Sequence, residues 1–448
     1  MKKRVLRSCI LLIGFLLIGG LLFAGGQKEG AQAEKEAEEP AKTEEAAEAE
    51  KELEGEIKIA HDNPEWQSIW QKFGQASKED IGIEGVPTEY ETQVYKSRIK
   101  VDLNSNRAPE VFKWWFGYRA QELLEAGLIA DLSDVWDEVE DNFPAGIREA
   151  LTFNGVTYGF PFNTGYWVWY YSKAAYEKMG FEPPETWEEF TEQLAAFEEE
   201  GISGIGNTVG DSRWTSFIVF QEILYRLDHQ LYADLVNGKA HYTNDTVIRA
   251  MEIWKEWLDA GYFAPMDANY VNDLPRMLKE GELAFAPFGD WYGGILQQQG
   301  LKPGEDYGVI IPPPITEKGE GAIILEVAPL CTGKKADDLE LAKEWFKWYA
   351  SSDSAAKILW NELRFPSTKN VTMDMIKADD PVLAKEYQML DQYPTKLIRY
   401  WEATPVEIVE YAVDQFNTML VEPGKYMEII EGIEEKAKEV WPEYGVDY

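Results

Sequence analysis

The sequence predicts an α/β protein with largely parallel sheets, long enough to form two lobes. From Glu56 onward, short apolar runs alternate with segments of helical periodicity. About 390 residues lie in that stretch, where a single domain usually takes roughly 100–200. No fixed-period repeat runs through it, which disfavours a solenoid or a propeller.

The chain begins with Lys2, Lys3, Arg4 and Arg7, then an apolar run from Ile10 to Phe23, then the small residues Ala24, Gly25 and Gly26. This is the layout of a secretory signal peptide, assigned to residues 1–24. At about 14 residues the run is shorter than the roughly 20 needed to span a bilayer. An uncleaved N-terminal anchor is the alternative, and in both cases the body is periplasmic or otherwise extracytoplasmic. Cys9 precedes the apolar run instead of following it, so a lipoprotein is not expected. Cleavage leaves Cys331 as the sole thiol and excludes an intramolecular disulfide.

Residues 25–55 are an acidic Ala/Glu-rich linker with nothing to bury: no aromatic and no β-branched apolar side chain occurs between Gln27 and Gly55. The whole chain carries a formal charge of −37, from 80 acidic and 43 basic residues. A field of that sign repels nucleic acid, anionic membranes and polyanionic ligands, and favours neutral or cationic ones.

In the body, strands are expected at 56–60, 110–115, 166–172, 282–288, 307–311 and 323–331. A helix between Asn244 and Gly261 buries the stripe Val247, Met251, Trp254 and Leu258. Thr186 and Glu189 have capping-box spacing ahead of Phe190, Leu194 and Phe197. Trp254, Trp257, Trp345 and Trp348 fall on helical stripes and are assigned to the core.

Catalytic signatures are absent. There is no P-loop, HExxH, EF-hand loop or G-x-S-x-G elbow, and the three histidines, His61, His229 and His241, are far apart. Tyr170 and Tyr171 are adjacent in a strand and so point to opposite faces, which argues against a shared iron. No enzyme activity, cofactor or metal is expected.

Aromatic side chains stand out instead, with 17 Trp, 23 Tyr and 20 Phe, gathered near strand ends and the loops that follow. Asp62, Asn63 and Glu65 flank Trp66 after the first strand; Trp114 and Trp115 follow Lys113; Trp167 opens a strand; Trp214 follows Arg213; Asp290 precedes Trp291; and Trp401 follows Arg399 and Tyr400. Ligands of open α/β sheets bind at strand carboxyl ends. A pyranose has an apolar C–H face that packs on an aromatic ring and a rim of hydroxyls that needs carboxylates, amides or Arg. That pattern points to a sugar, with a polyol, amino acid or polyamine as the alternative ligand and a secreted carbohydrate-active enzyme as a remoter reading.

From about Gly55 onward the chain resembles the family 1 extracellular solute-binding proteins, the maltose-binding-protein-like sugar receptors of ABC importers. The resemblance rests on Ala108-Pro109-Glu110-Val111, on 123–132, on 153–161, on 171–190 with its Pro-Glu-Thr-Trp-Glu-Glu-Phe ending, on 279–291 and on 335–350. It implies a periplasmic-binding-protein fold of type II, with two α/β lobes, a hinge and an interlobe cleft. The lobes are expected at 56–163 plus 326–392 and at 164–325 plus 393–448, with crossings near Asn163, Glu326 and Tyr393. It further implies a carbohydrate ligand, membrane permease subunits as partners and a monomeric state.

By the same resemblance, Trp114, Trp291 and Trp401 match stacking tryptophans and Asp62 a hydroxyl acceptor. Glu326, at a crossing, joins the candidate ligand-binding residues Asp62, Glu65, Trp66, Trp114, Trp115, Trp167, Trp214, Asp290, Trp291 and Trp401. Two departures stand out: Gly165 replaces a sugar-binding carboxylate of maltose-type members, and Glu110 replaces the usual Asp.

Overall fold

The structure, a computed structural model, describes residues 54–143, 147–209 and 212–448. The expected signal peptide and all but the last two residues of the expected linker lie outside the described residues.

Eleven strands run among the described residues: β1 (Gly55–His61), β2 (Ile83–Glu89), β3 (Val111–Lys113), β4 (Thr152–Phe153), β5 (Val156–Thr157), β6 (Gly159–Ser172), β7 (Ser203–Ile205), β8 (Leu283–Gly289), β9 (Tyr307–Ile310), β10 (Ala322–Cys331) and β11 (Thr395–Ile398). β4 and β5 form a small hairpin. The others share one sheet in the order β2-β1-β3-β10-β6-β8-β7, with β11 beside β10 and β9 beside β6.

Two long strands organise the molecule. β6 has 14 residues, well above the usual 5–6, and its two ends belong to different half-sheets. Its first residues pair with the end of β10, whose Leu330 and Cys331 also pair with β3. Its last residues, Trp167–Tyr171, pair with β8. Between the halves, Thr164–Tyr166 and Leu325–Val327 pair only with each other among the main sheet strands save where β11 joins at Leu325. The two half-sheets with their helices form two lobes, and this paired stretch is the crossing between them.

The sheet is less parallel than expected. β1–β2, β1–β3, β7–β8 and β10–β11 are parallel, but every pair involving β6, and β3–β10, is antiparallel. A crossing strand enters each lobe without a helical crossover, so it is free to run against its neighbours. β6 extends seven residues ahead of the expected 166–172, through Gly159, Pro161 and Gly165. Pro161 is accommodated opposite Pro329, beside an irregularity in register, where neither residue is asked for an N–H.

Local signals act as the sequence suggests. Asn244 caps the helix Asp245–Asp259, and Gly261 beyond its end has a φ of +80°. Thr186 and Glu189 complete both bonds of the capping box on Trp187–Glu199. Trp254, Trp257, Trp345 and Trp348 are buried. The helix Gln67–Ile81 lies close on β2, because a Cβ on Gly74 would meet the Gly85 carbonyl at 1.9 Å. This close approach brings Trp70 onto Phe162 of β6, with ring centroids 4.9 Å apart.

The return to the second half-sheet differs from the expected place. The helix Asp353–Ile358 packs on Gln67–Ile81, whereas Pro381–Met389 packs on β9. The chain therefore reaches the second lobe before Pro381, ahead of Tyr393. No helix among the described residues is long and apolar enough to cross a membrane.

Candidate ligand-binding site

A cleft opens at the crossing, against the carboxyl ends of β1, β3 and β8. It takes in about 740 Å³, the solvent at its open mouth included. β1 delivers Asp62, Asn63 and Trp66 to it, and β3 delivers Lys113 and Trp115. Phe162, Asn163, Glu326 and Ala328 come from the crossing strands. Trp214, Tyr270 and Trp291 form the opposite wall, and Phe365, Arg399 and Trp401 close the remaining sides.

The walls carry two aromatic groups. In one, Trp66, Phe162 and Phe365 meet at centroid distances of 5.3–5.9 Å. In the other, Trp214, Tyr270 and Trp291 meet at 6.0–6.3 Å. Trp214, Tyr270 and Trp291 are only half-buried, so they offer apolar surface to the cleft, whereas Trp66 is 8% exposed.

Charges in the cleft are paired internally. Lys113 Nζ lies 2.7 Å from Asp62 Oδ1 and 3.4 Å from Asn63 Oδ1. Glu326 Oε2 accepts from Trp167 Nε1 and Trp291 Nε1, both at 3.1 Å, and pairs with Arg399 Nη1 at 3.0 Å. Arg399 is also bonded through both arms of its fork to Glu402. Burial works against the Arg399 charge, but Glu326 and Glu402 beside it hold its pKa above the ordinary value. One carboxylate thus fixes two indoles and a guanidinium from three segments. All three of these contacts are made by Oε2.

A second charge group braces the two lobes. Lys96 and Arg119 both bond Glu410 Oε1, at 3.0 and 2.8 Å. Arg119 also lies 3.9 Å from the centre of the Trp401 ring. Burial, then Arg119 beside it, lowers the Lys96 ammonium to about 8.

Seven of the eleven residues expected to bind ligand line the cleft: Asp62, Trp66, Trp115, Trp214, Trp291, Glu326 and Trp401. Among these, Trp401 does not offer a stacking face. Phe217 stacks on it at 5.8 Å, Arg119 and Lys96 cap it, and only 3% of the residue is exposed.

The other four lie elsewhere. Glu65 is exposed on the turn Pro64–Trp66, outside the cleft. Trp114 is buried against Tyr95, Phe112 and Trp115, and its Nε1 donates to the Arg119 carbonyl. Trp167 is fully buried and supports the cleft lining from behind, through its bond to Glu326, its edge contact with Trp291 and the Arg399 guanidinium over its ring. Asp290 points away from the cleft toward a smaller cavity behind it.

Lys113 and Arg399 line the cleft without being among the expected ligand contacts, although Lys113 precedes Trp114 and Arg399 lies two residues before Trp401. Asn163 was marked as a crossing but not as a ligand contact, Phe162 and Thr92 carried no distinguishing signal, and Tyr270 and Phe365 lie far in sequence from the strand ends that marked the others.

The chain was compared with known proteins. A family model described as bacterial extracellular solute-binding protein matches residues 70–385, more than half of the chain. An uncharacterized ABC transporter extracellular-binding protein of Pyrococcus horikoshii is 24% identical over 304 residues, 66% of this chain and 65% of that protein. A maltotriose-binding protein of Pyrococcus abyssi is 24% identical over 302 residues, 64% of this chain and 61% of that protein. The alignments thus span somewhat under two thirds of these two curated relatives. Among solved structures, a chitin oligosaccharide binding protein superposes with a TM-score of 0.77 at 18% identity, covering 86% of this chain and 98% of that one. This likeness establishes the fold as the two-lobed type II periplasmic-binding arrangement.

Proposed function

Since the chain belongs to the bacterial extracellular solute-binding protein family, we propose that it is a non-catalytic receptor that captures a neutral mono- or oligosaccharide in the interlobe cleft. It is exported by the leader at residues 1–24 and delivers the sugar to the permease of an ABC importer. The observation that carries this reading is the pairing of half-exposed aromatic surface, from Trp214, Tyr270 and Trp291, with charges that already neutralise one another. The aromatic surface suits the C–H face of a pyranose. Asp62 and Glu326 suit its hydroxyls, while an ionic ligand would have to break the Asp62–Lys113 or Glu326–Arg399 pair.

The relatives named for a maltotriose and for a chitin oligosaccharide lend support to a sugar. Gly165, where maltose-type members place a carboxylate, weighs against maltose itself. The Asp290 carboxyl stands over this glycine, 1.9 Å from where a Cβ would lie, so a side chain at 165 has no room.

The test is a thermal-shift panel of mono- and oligosaccharides, polyols, amino acids and polyamines on the mature protein. A ligand at 100 times its Kd adds about 2.7 kcal/mol of stability. We expect shifts confined to related sugars, with the sugar recovered intact after long incubation. Shifts with amino acids or polyamines alone, or consumption of the sugar, would refute the reading.

A further inference from the structure

Behind the cleft wall, a narrow cavity is lined by three carboxylates, Asp290, Asp380 and Glu386. Asp380 is satisfied: it accepts from the N–H groups of Val382 and Leu383 and from Gln297 Nε2 at 2.7 Å. The other two are not. Neither oxygen of Asp290, 6% exposed, and not Oε1 of Glu386, 1% exposed, has a hydrogen bond of normal geometry. Arg364 is the one cation lining the cavity, and it is bonded to Gln297 Oε1 and the Trp360 carbonyl. The remaining polar groups that face the pair are Asn163, Tyr166 and Tyr170 of β6, Tyr307 of β9, Tyr387 of the helix Pro381–Met389, and Glu326 of β10.

Two buried carboxyls that share one cavity with no cation against them and only weakly aligned donors, Asn163 and the Trp291 and Tyr166 backbone, are not both charged at neutral pH, because an uncompensated ion in such a site costs more than the proton that neutralises it. Asp290 is also tied mechanically to the binding wall. Its N–H donates to Tyr166 O at 2.9 Å and its carbonyl accepts from Tyr170 Oη at 2.9 Å. Its carboxyl packs on Gly165, which pairs with Glu326 across the crossing strands. Trp291, the next residue, donates to Glu326.

We propose that Asp290 and Glu386 form a proton-holding pair behind the cleft, and that loss of this proton repels Asp290 from Glu326 and so displaces Trp291 from the ligand wall. Burial, then the charge of Glu326, raises the Asp290 carboxyl to about 8, so the proton is present at neutral pH and leaves in mild alkali. The proton goes to solvent, and the wall tightens again when it returns. The device rests on Trp291 being wall, as in the sugar reading, but its test needs no sugar.

The mature protein is labelled with 5-fluorotryptophan, and the Trp291 fluorine resonance, assigned by its loss in Trp291→Phe, is followed from pH 5 to pH 9.5. Alongside, the unfolding midpoint is measured over the same range for the unlabelled parent, Asp290→Asn and Glu386→Gln. We expect the resonance to move with a midpoint near pH 8 in the parent and to stay put in either variant that folds. A carboxyl whose folded pKa is raised contributes stability below its unfolded value, near 4, and loses it as pH rises toward the folded one. The parent midpoint should therefore fall relative to the variants between about pH 4 and pH 8 and run parallel above that. A resonance that ignores pH, profiles parallel throughout, or calcium-dependent stabilisation lost in the variants would overturn the proposal, the last because it would mean the carboxylates are ionised around a cation.

Discussion

Trp114 and Trp291 show how much one side chain's position decides. Both stand just past a strand end and both match stacking tryptophans by resemblance, yet Trp114 is 2% exposed while Trp291 faces the cleft. Opposite experimental signatures follow. Trp291→Ala should weaken sugar binding by about 2 kcal/mol, a roughly thirtyfold rise in Kd by calorimetric titration, with little change in unfolding. Trp114→Ala should cost about 3–5 kcal/mol in urea unfolding, because it opens a hole beneath Trp115, and should leave the affinity of the folded protein far less affected. Glu326 stands at a crossing, and its Oε2 gathers Trp167, Trp291 and Arg399, so it orders the wall.

At the level of elements, the helix Gln67–Ile81 is held at a fixed height over β2 by the contact of Gly74 with Gly85. Backbone meets backbone there, so nothing flexible is available to yield. Gly74→Ala should destabilise the protein by about 1–3 kcal/mol in urea unfolding, and by lifting Trp66 and Trp70 it should also weaken ligand binding. The capping box on Trp187–Glu199 gives a contrasting case, since that helix does not reach the cleft. Thr186→Ala should cost about 1 kcal/mol of stability and leave affinity unchanged. The capping box was readable in the sequence, because Thr-x-x-Glu spacing acts within four residues, whereas the helix Gln67–Ile81 was not among the expected elements. The contact of Gly74 with β2 was not readable, since nothing local distinguishes a glycine at a helix–strand contact from any other.

For the whole molecule, the two lobes are joined by a short paired stretch of β6 and β10, and Lys96 and Arg119 reach across to Glu410. Such an arrangement closes on a ligand that bridges both walls. Saturation with the sugar found in the panel should reduce the radius of gyration in small-angle scattering, and an unchanged radius would count against closure. The sequence by itself determined the α/β class, most of the strands, the caps, and the enrichment of aromatic and acidic groups at strand ends. Those features are local or summed over the chain, so periodicity and composition carry them. Tertiary structure decided which of the aromatic groups face the cleft, that Trp401 is covered by Phe217 and Arg119, that Arg399 and Lys113 neutralise Glu326 and Asp62, and that β6 runs antiparallel through both lobes. Each of these depends on residues tens to hundreds of positions apart meeting in space, and no spacing along the chain records such a meeting.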